Sequence, residues 1–81
     1  MNEAIVEIDL HGKTQRQAEK IIDAAIRLAG PGTYQIRLIH GFHGGTALRD
    51  LIRERYRSHA KVKRINSEDF GVTILVLKEL F

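Results

Sequence analysis

The 81-residue sequence predicts an α+β two-layer sandwich, β-α-β-α-β-β in order, with a four-stranded mixed sheet and both helices on one face. Three observations carry that expectation. Short runs of β-branched residues alternate with two stretches of helical apolar spacing. Each helical stretch lies between two strand-like runs, so two crossovers of the usual hand place both helices on the same side of the sheet. Only a short link separates the last two strand-like runs, which favours reversal of direction. The first three strands are then parallel, and the last runs against them.

Along the chain, residues 4–10 set Val6, Ile8 and Leu10 on one side and Ile5, Glu7 and Asp9 on the other, as a half-buried strand does. Thr14 with Gln17 three residues later is a capping-box signature that starts a helix. Ala18, Ile21, Ile22, Ala25, Ile26 and Ala29 follow helical spacing until Gly30-Pro31-Gly32 stops it. Residues 34–40 read as a second strand through Tyr34, Ile36 and Leu38, broken by Gly41, Gly44 and Gly45. Leu48, Leu51, Ile52 and Tyr56 mark the inner stripe of a second helix, with Arg49, Arg53 and Arg57 outward. Residues 62–65 are expected as a short third strand and residues 72–78 as the fourth. No helix remains to cover the other sheet face. Ile5, Ile39, Leu75 and Leu77 are placed there beside Glu7, Asp9, Arg37 and Thr73, a mixed patch suited to a dimer contact or to docking of a protein partner.

Apolar residues at 43% and charged residues at 28% describe a soluble, single-domain chain spanning residues 1–81. The absence of cysteine excludes disulfides, thiolate metal sites and cysteine nucleophiles. No secretory leader pattern and no apolar run of about 18 residues is present, which points to a cytoplasmic protein without a membrane span. The net charge of +3 is unevenly placed. Residues 49–64 carry Arg49, Arg53, Arg55, Arg57, Lys61, Lys63 and Arg64 against only Asp50 and Glu54. Such a stretch is the footprint a polyanion would meet, or else a solvated helix face followed by a lysine-blunted edge strand.

Two His-Gly turns carry the chemistry. Leu10-His11-Gly12 ends the first strand and opens a helix; Ile39-His40-Gly41 ends the second and opens the next. Ligands of open sheets with parallel strands bind beyond the carboxyl ends of those strands, where both turns land, so His11, His40 and His43 can converge. Gly44-Gly45-Thr46 precedes the second helix, whose free N–H groups suit a phosphate. Each residue also has a plainer role: the glycines as turn formers, His11 as a partner for a strand-end carbonyl, Asp9 as an ion-pair partner of Arg37. A divalent metal held by His40-x-x-His43 with His11 and Asp9 is a further reading, although no helical i, i+4 spacing supports it. No serine elbow, phosphate-binding Walker loop or dinucleotide fingerprint occurs. His59 ends the second helix and complements its dipole.

Ile8-Asp9-Leu10-His11-Gly12 matches the opening signature of the Smr (small MutS-related) domain family, hydrophobic-Asp-Leu-His/Arg-Gly. His40-Gly41-Phe42-His43-Gly44-Gly45-Thr46-Ala47-Leu48-Arg49 resembles its second signature, His-Gly-x-Gly-x-Gly-x-Leu, with one residue more. The glycine-rich turn before the last strand is reduced to Gly71. The resemblance runs from about Ile5 to Leu77. It implies a fold similar to the C-terminal domain of translation initiation factor 3, nucleic-acid binding, and endonuclease activity on RNA or DNA.

On that footing, His40 and His11 are expected to be the general base and acid of phosphodiester cleavage, with Asp9 orienting the His11 ring. Gly12, Gly41, His43, Gly44, Gly45, Thr46 and Arg49 would hold the phosphate. Lys13, Arg53 and Arg57 would contact neighbouring phosphates, and Phe42 would stack on an unpaired base. RNA suits two histidines because ribose brings its own nucleophile, the 2′-hydroxyl, whereas DNA needs an activated water, usually made by a divalent ion. The alternatives are a binding module without chemistry, and a ribosome- or protein-docking adaptor using the open sheet face.

Overall fold

Strands and helices follow in the expected order in the computed structural model, which describes residues 3–42 and 46–79. They are β1 (Ile5–Asp9), α1 (Gln15–Leu28), β2 (Gln35–Ile39), α2 (Thr46–Tyr56), β3 (Arg64–Asp69) and β4 (Val72–Val76). In the sheet the order is β1-β2-β4-β3. β1 and β2 are parallel, and β4 runs antiparallel to both β2 and β3. The chain thus crosses over α2 to lay β3 at the far edge, then doubles back to fill the gap.

α1 begins where its cap dictates. The Thr14 side chain accepts from the Gln17 amide and the Gln17 side chain accepts from the Thr14 amide, satisfying two otherwise free N–H groups. Ala18, Ile22 and Ile26 of α1 and Leu48, Ile52 and Tyr56 of α2 pack with Val6, Leu10, Ile36, Leu38 and Leu75 of the sheet in one core. Both helices therefore lie on the same sheet face. The Tyr56 hydroxyl ties them together, donating to Asp23 Oδ1 at 2.6 Å while Arg55 donates to Oδ2 at 2.8 Å. The Arg55 hydrogen bond, assisted by that of Tyr56 and opposed by burial, holds the Asp23 carboxyl below its ordinary pKa. Burial, above all, pushes the Tyr56 phenol up.

Two local expectations need correction. The third strand is β3, Arg64–Asp69, rather than residues 62–65; Val62 is buried in the core but precedes the strand, and the β3–β4 link is only Phe70 and Gly71. The facing of β4 is also reversed. Leu75 pairs with Ile36 and Thr73 with Leu38, so Thr73 and Leu75, followed by Leu77, turn toward the helices; Ile74 pairs with Arg37 on the open face. There Arg37 binds Glu7 and Glu68, each at 2.5 Å, so the centre of that face is polar. No helix among the described residues is long and apolar enough to cross a membrane.

Candidate functional site

Three turns meet at the carboxyl end of the parallel strands. In the first, Leu10 extends the ladder by donating to Ile39 O at 2.7 Å, and its own carbonyl accepts from Lys13 N at 3.0 Å. That closes a four-residue turn with Gly12 at the third position, where φ = 78°. A side chain is disfavoured at that dihedral, so glycine serves the backbone here before any ligand. In the second turn Gly41 has φ = 76°, and a Cβ added to it would lie 3.4 Å from Cδ2 of His11. The His11 ring therefore stands directly against the second His-Gly corner. The third turn, Phe70-Gly71, holds the second: Gly71 O accepts from both His40 N (2.9 Å) and Gly41 N (3.0 Å).

The two histidines have opposite environments. His11 is exposed. His40 is 2% exposed, with Nδ1 2.8 Å from Gly41 O and Nε2 2.9 Å from Thr73 Oγ1. A carbonyl only accepts, so Nδ1 carries the proton and Nε2 accepts from the threonine hydroxyl. The expected general base thus has no nitrogen open to a ligand in solvent. Asp9 also differs from expectation: its Oδ1 accepts from the His11 backbone amide at 2.9 Å, so it fixes the turn rather than the ring. The metal reading loses His40 for the same reason, since both its nitrogens are engaged. Among the described residues no three His, Asp or Glu side chains converge as a metal site.

The expected phosphate ligands are distributed around this corner. His43, Gly44 and Gly45 lie outside the described residues. Thr46 opens α2, whose positive dipole end is thereby at the same end of the sheet. Lys13 is exposed in the first turn, and Phe42 is 62% exposed in the second. Arg49 Nε lies 3.3 Å from Asp50 Oδ1. Arg53 donates to Ser67 Oγ at 2.7 Å and so leans over β3. With Arg57, Lys63 and Arg64 it lines an open groove between α2 and β3. Arg64 is paired with Glu79, but among the described residues Arg53, Arg57 and Lys63 enter no ion pair.

Lys63, Arg64 and Phe70 were not singled out as site residues from the sequence. The charge count included the first two, and only the position of β3 turns them toward α2. His59 is half-buried, and its Nδ1 accepts from the Lys61 amide at 3.1 Å, which caps the chain beyond α2.

The architecture is shared with known proteins. The Smr domain family matches residues 8–78. The crystal structure of the Smr domain of Thermus thermophilus MutS2 superposes with a TM-score of 0.77 at 33% identity, covering 91% of this chain and 99% of that one. No curated protein sequence matches. With nearly the whole chain aligned and both His-Gly turns inside the match, this protein belongs to the Smr domain family.

Proposed function

We propose that this Smr domain binds nucleic acid along the cationic side formed by α2 and β3, and cleaves a phosphodiester at the corner where His11 meets Gly41. The observation that carries this reading is the exposed His11 ring held against Gly41, with the positive end of α2 at the same end of the sheet. Here His11 is the catalytic residue, delivering a proton to the leaving oxygen. With RNA, the 2′-hydroxyl attacks phosphorus and gives its proton to solvent, the bond to the 5′-oxygen breaks, and a 2′,3′-cyclic phosphate remains. His40 is a positioning residue: it joins β4 to the Gly41 corner and so fixes the surface against which His11 rests. Asp9 positions the same turn from the other side.

The test is cleavage of RNA and of supercoiled plasmid, with and without chelator, by the wild-type protein and by His11→Ala. The expected result is chelator-insensitive RNA cleavage, with turnover falling about 100-fold or more in the variant while binding changes little. Unaltered turnover in His11→Ala would remove the catalytic assignment. A second reading, binding without chemistry, is favoured by the engagement of both His40 nitrogens, which leaves His11 without the histidine partner of a two-residue acid–base pair. It predicts salt-dependent binding of nucleic acid and intact substrate under every condition.

A further inference from the structure

Beside the His-Gly corner runs a trough whose two ends differ in chemistry. Arg53, Arg57, Lys63, Arg64, Ile65 and Ser67 line one part of it. A second depression, lined by Arg49, Arg53, Ser67, Glu68, Asp69 and Phe70, adjoins the first through the shared Arg53 and Ser67. The trough follows β3, whose six residues span about 20 Å. At its cationic end four basic side chains line it, of which Arg64 is paired with Glu79. At its other end Phe70 is 81% exposed, more than any other large apolar side chain among the described residues. The carboxylates near Phe70 are already engaged: Glu68 with Arg37, and Asp69 with the Gly71 amide at 2.8 Å. Their charge disfavours a phosphate at that end but not the neutral face of a base.

We infer that the trough along β3 takes a single-stranded polynucleotide, with phosphates against Arg53, Arg57, Lys63 and Arg64 and one unpaired base stacked on Phe70. This rests on the nucleic-acid reading above and adds the strandedness of the substrate. A duplex keeps its bases inside and offers no face to an isolated ring, whereas any unpaired base does. Phe70 adjoins Gly71, where an added Cβ would lie 3.3 Å from Gly41 Cα, and a Cβ added at Gly41 would in turn lie 3.4 Å from the His11 ring. A base held on Phe70 therefore brings its flanking phosphodiester toward the corner that contains His11. Because stacking tolerates any base, the surface selects strandedness rather than sequence.

Fluorescence anisotropy with a labelled 12-nucleotide oligouridylate, its deoxy counterpart and a 12-base-pair duplex tests this on the intact chain. Phe70→Ala should weaken single-strand binding about tenfold and leave duplex binding within twofold, with Phe70→Trp restoring the affinity. Arg57→Ala/Lys63→Ala should weaken binding to all three probes. Equal single-strand affinity for wild type and Phe70→Ala, while the double variant binds worse, overturns the stacking inference and leaves the nucleic-acid reading standing. An equal loss on duplex and single strand likewise overturns it. Failure of the wild type to bind any probe overturns both. Phe70 is almost wholly exposed, so its removal leaves the fold intact, and the two single-strand arms report whether ribose contributes.

Discussion

Replacing His40 by alanine separates a structural imidazole from a catalytic one. The ring is buried and bonded at both nitrogens, to Gly41 O at 2.8 Å and Thr73 Oγ1 at 2.9 Å. Its removal leaves a half-buried carbonyl and a buried hydroxyl without their partner, at a cost of up to about 1–3 kcal/mol each. Rotation of the threonine hydroxyl and entry of water recover part of this, while lost packing adds to it, for a net of about 3 kcal/mol. A chain of this length has a total stability of roughly 4–12 kcal/mol, so the loss is large. Urea denaturation followed by circular dichroism measures it; with a slope of about 1 kcal/mol per molar, the midpoint should fall by about 3 M. Thr73→Val should cost about 1–2 kcal/mol, and the double variant should lose about 1 kcal/mol less than the sum. His11→Ala, at an exposed position, should stay within about 0.5 kcal/mol of wild type. A stability for His40→Ala that also stays within that margin would refute the structural role and return His40 to the chemistry.

Three further outcomes follow from the same contacts. Gly41→Ala should cost about 1–2 kcal/mol in denaturation because alanine is strained at φ = 76°, and it should also impair cleavage because the new methyl meets the His11 ring. Asp23 has a lowered pKa in the folded state, so its contribution is present above the unfolded carboxylate pKa and disappears as pH falls through the folded value. Denaturation of wild type and Asp23→Asn should therefore differ at pH 7 and converge in strong acid, and a constant difference across that range would contradict the Arg55–Asp23–Tyr56 link. Arg53→Ala/Arg57→Ala should reduce the slope of log affinity against log salt by roughly 0.7–0.9 per lost phosphate contact, read by anisotropy between low and moderate salt.

The topology was legible because each element announces its own period. The capping box at Thr14, the apolar stripe of α1 and the alternation of β1 each point to one local structure, and a single crossover hand assembles them. β3 was misplaced because an edge strand has one neighbour and little to bury. Only Ile65 packs against the core, and the rest of Arg64–Asp69 is exposed, so no alternation survives in the sequence. β4 was read with the wrong face because both its sides are apolar, and parity then carries no direction.

The burial of His40 did have a signal. Ile36 and Leu38 are four and two residues before it and point inward, so the same parity sends His40 toward the helices. The glycine that follows it is equally compatible with a solvent-facing turn residue at that position. Phe70 carries no signal in the sequence, and only the hairpin, by setting its neighbour Gly71 against Gly41, brings it to the site: a lone aromatic in a polar run is as compatible with a buried turn as with an exposed one.

Chemical-shift mapping of the backbone amides during titration with a short single-stranded oligonucleotide tests the location of the interface most directly. The expected shifts fall on His11 and Gly41 at the corner, on Arg53 and Arg57 of α2, and on Lys63 and Phe70 along the trough. Shifts confined to Ile5, Glu7, Arg37 and Ile74 on the opposite sheet face, with none at His11 or α2, would contradict it.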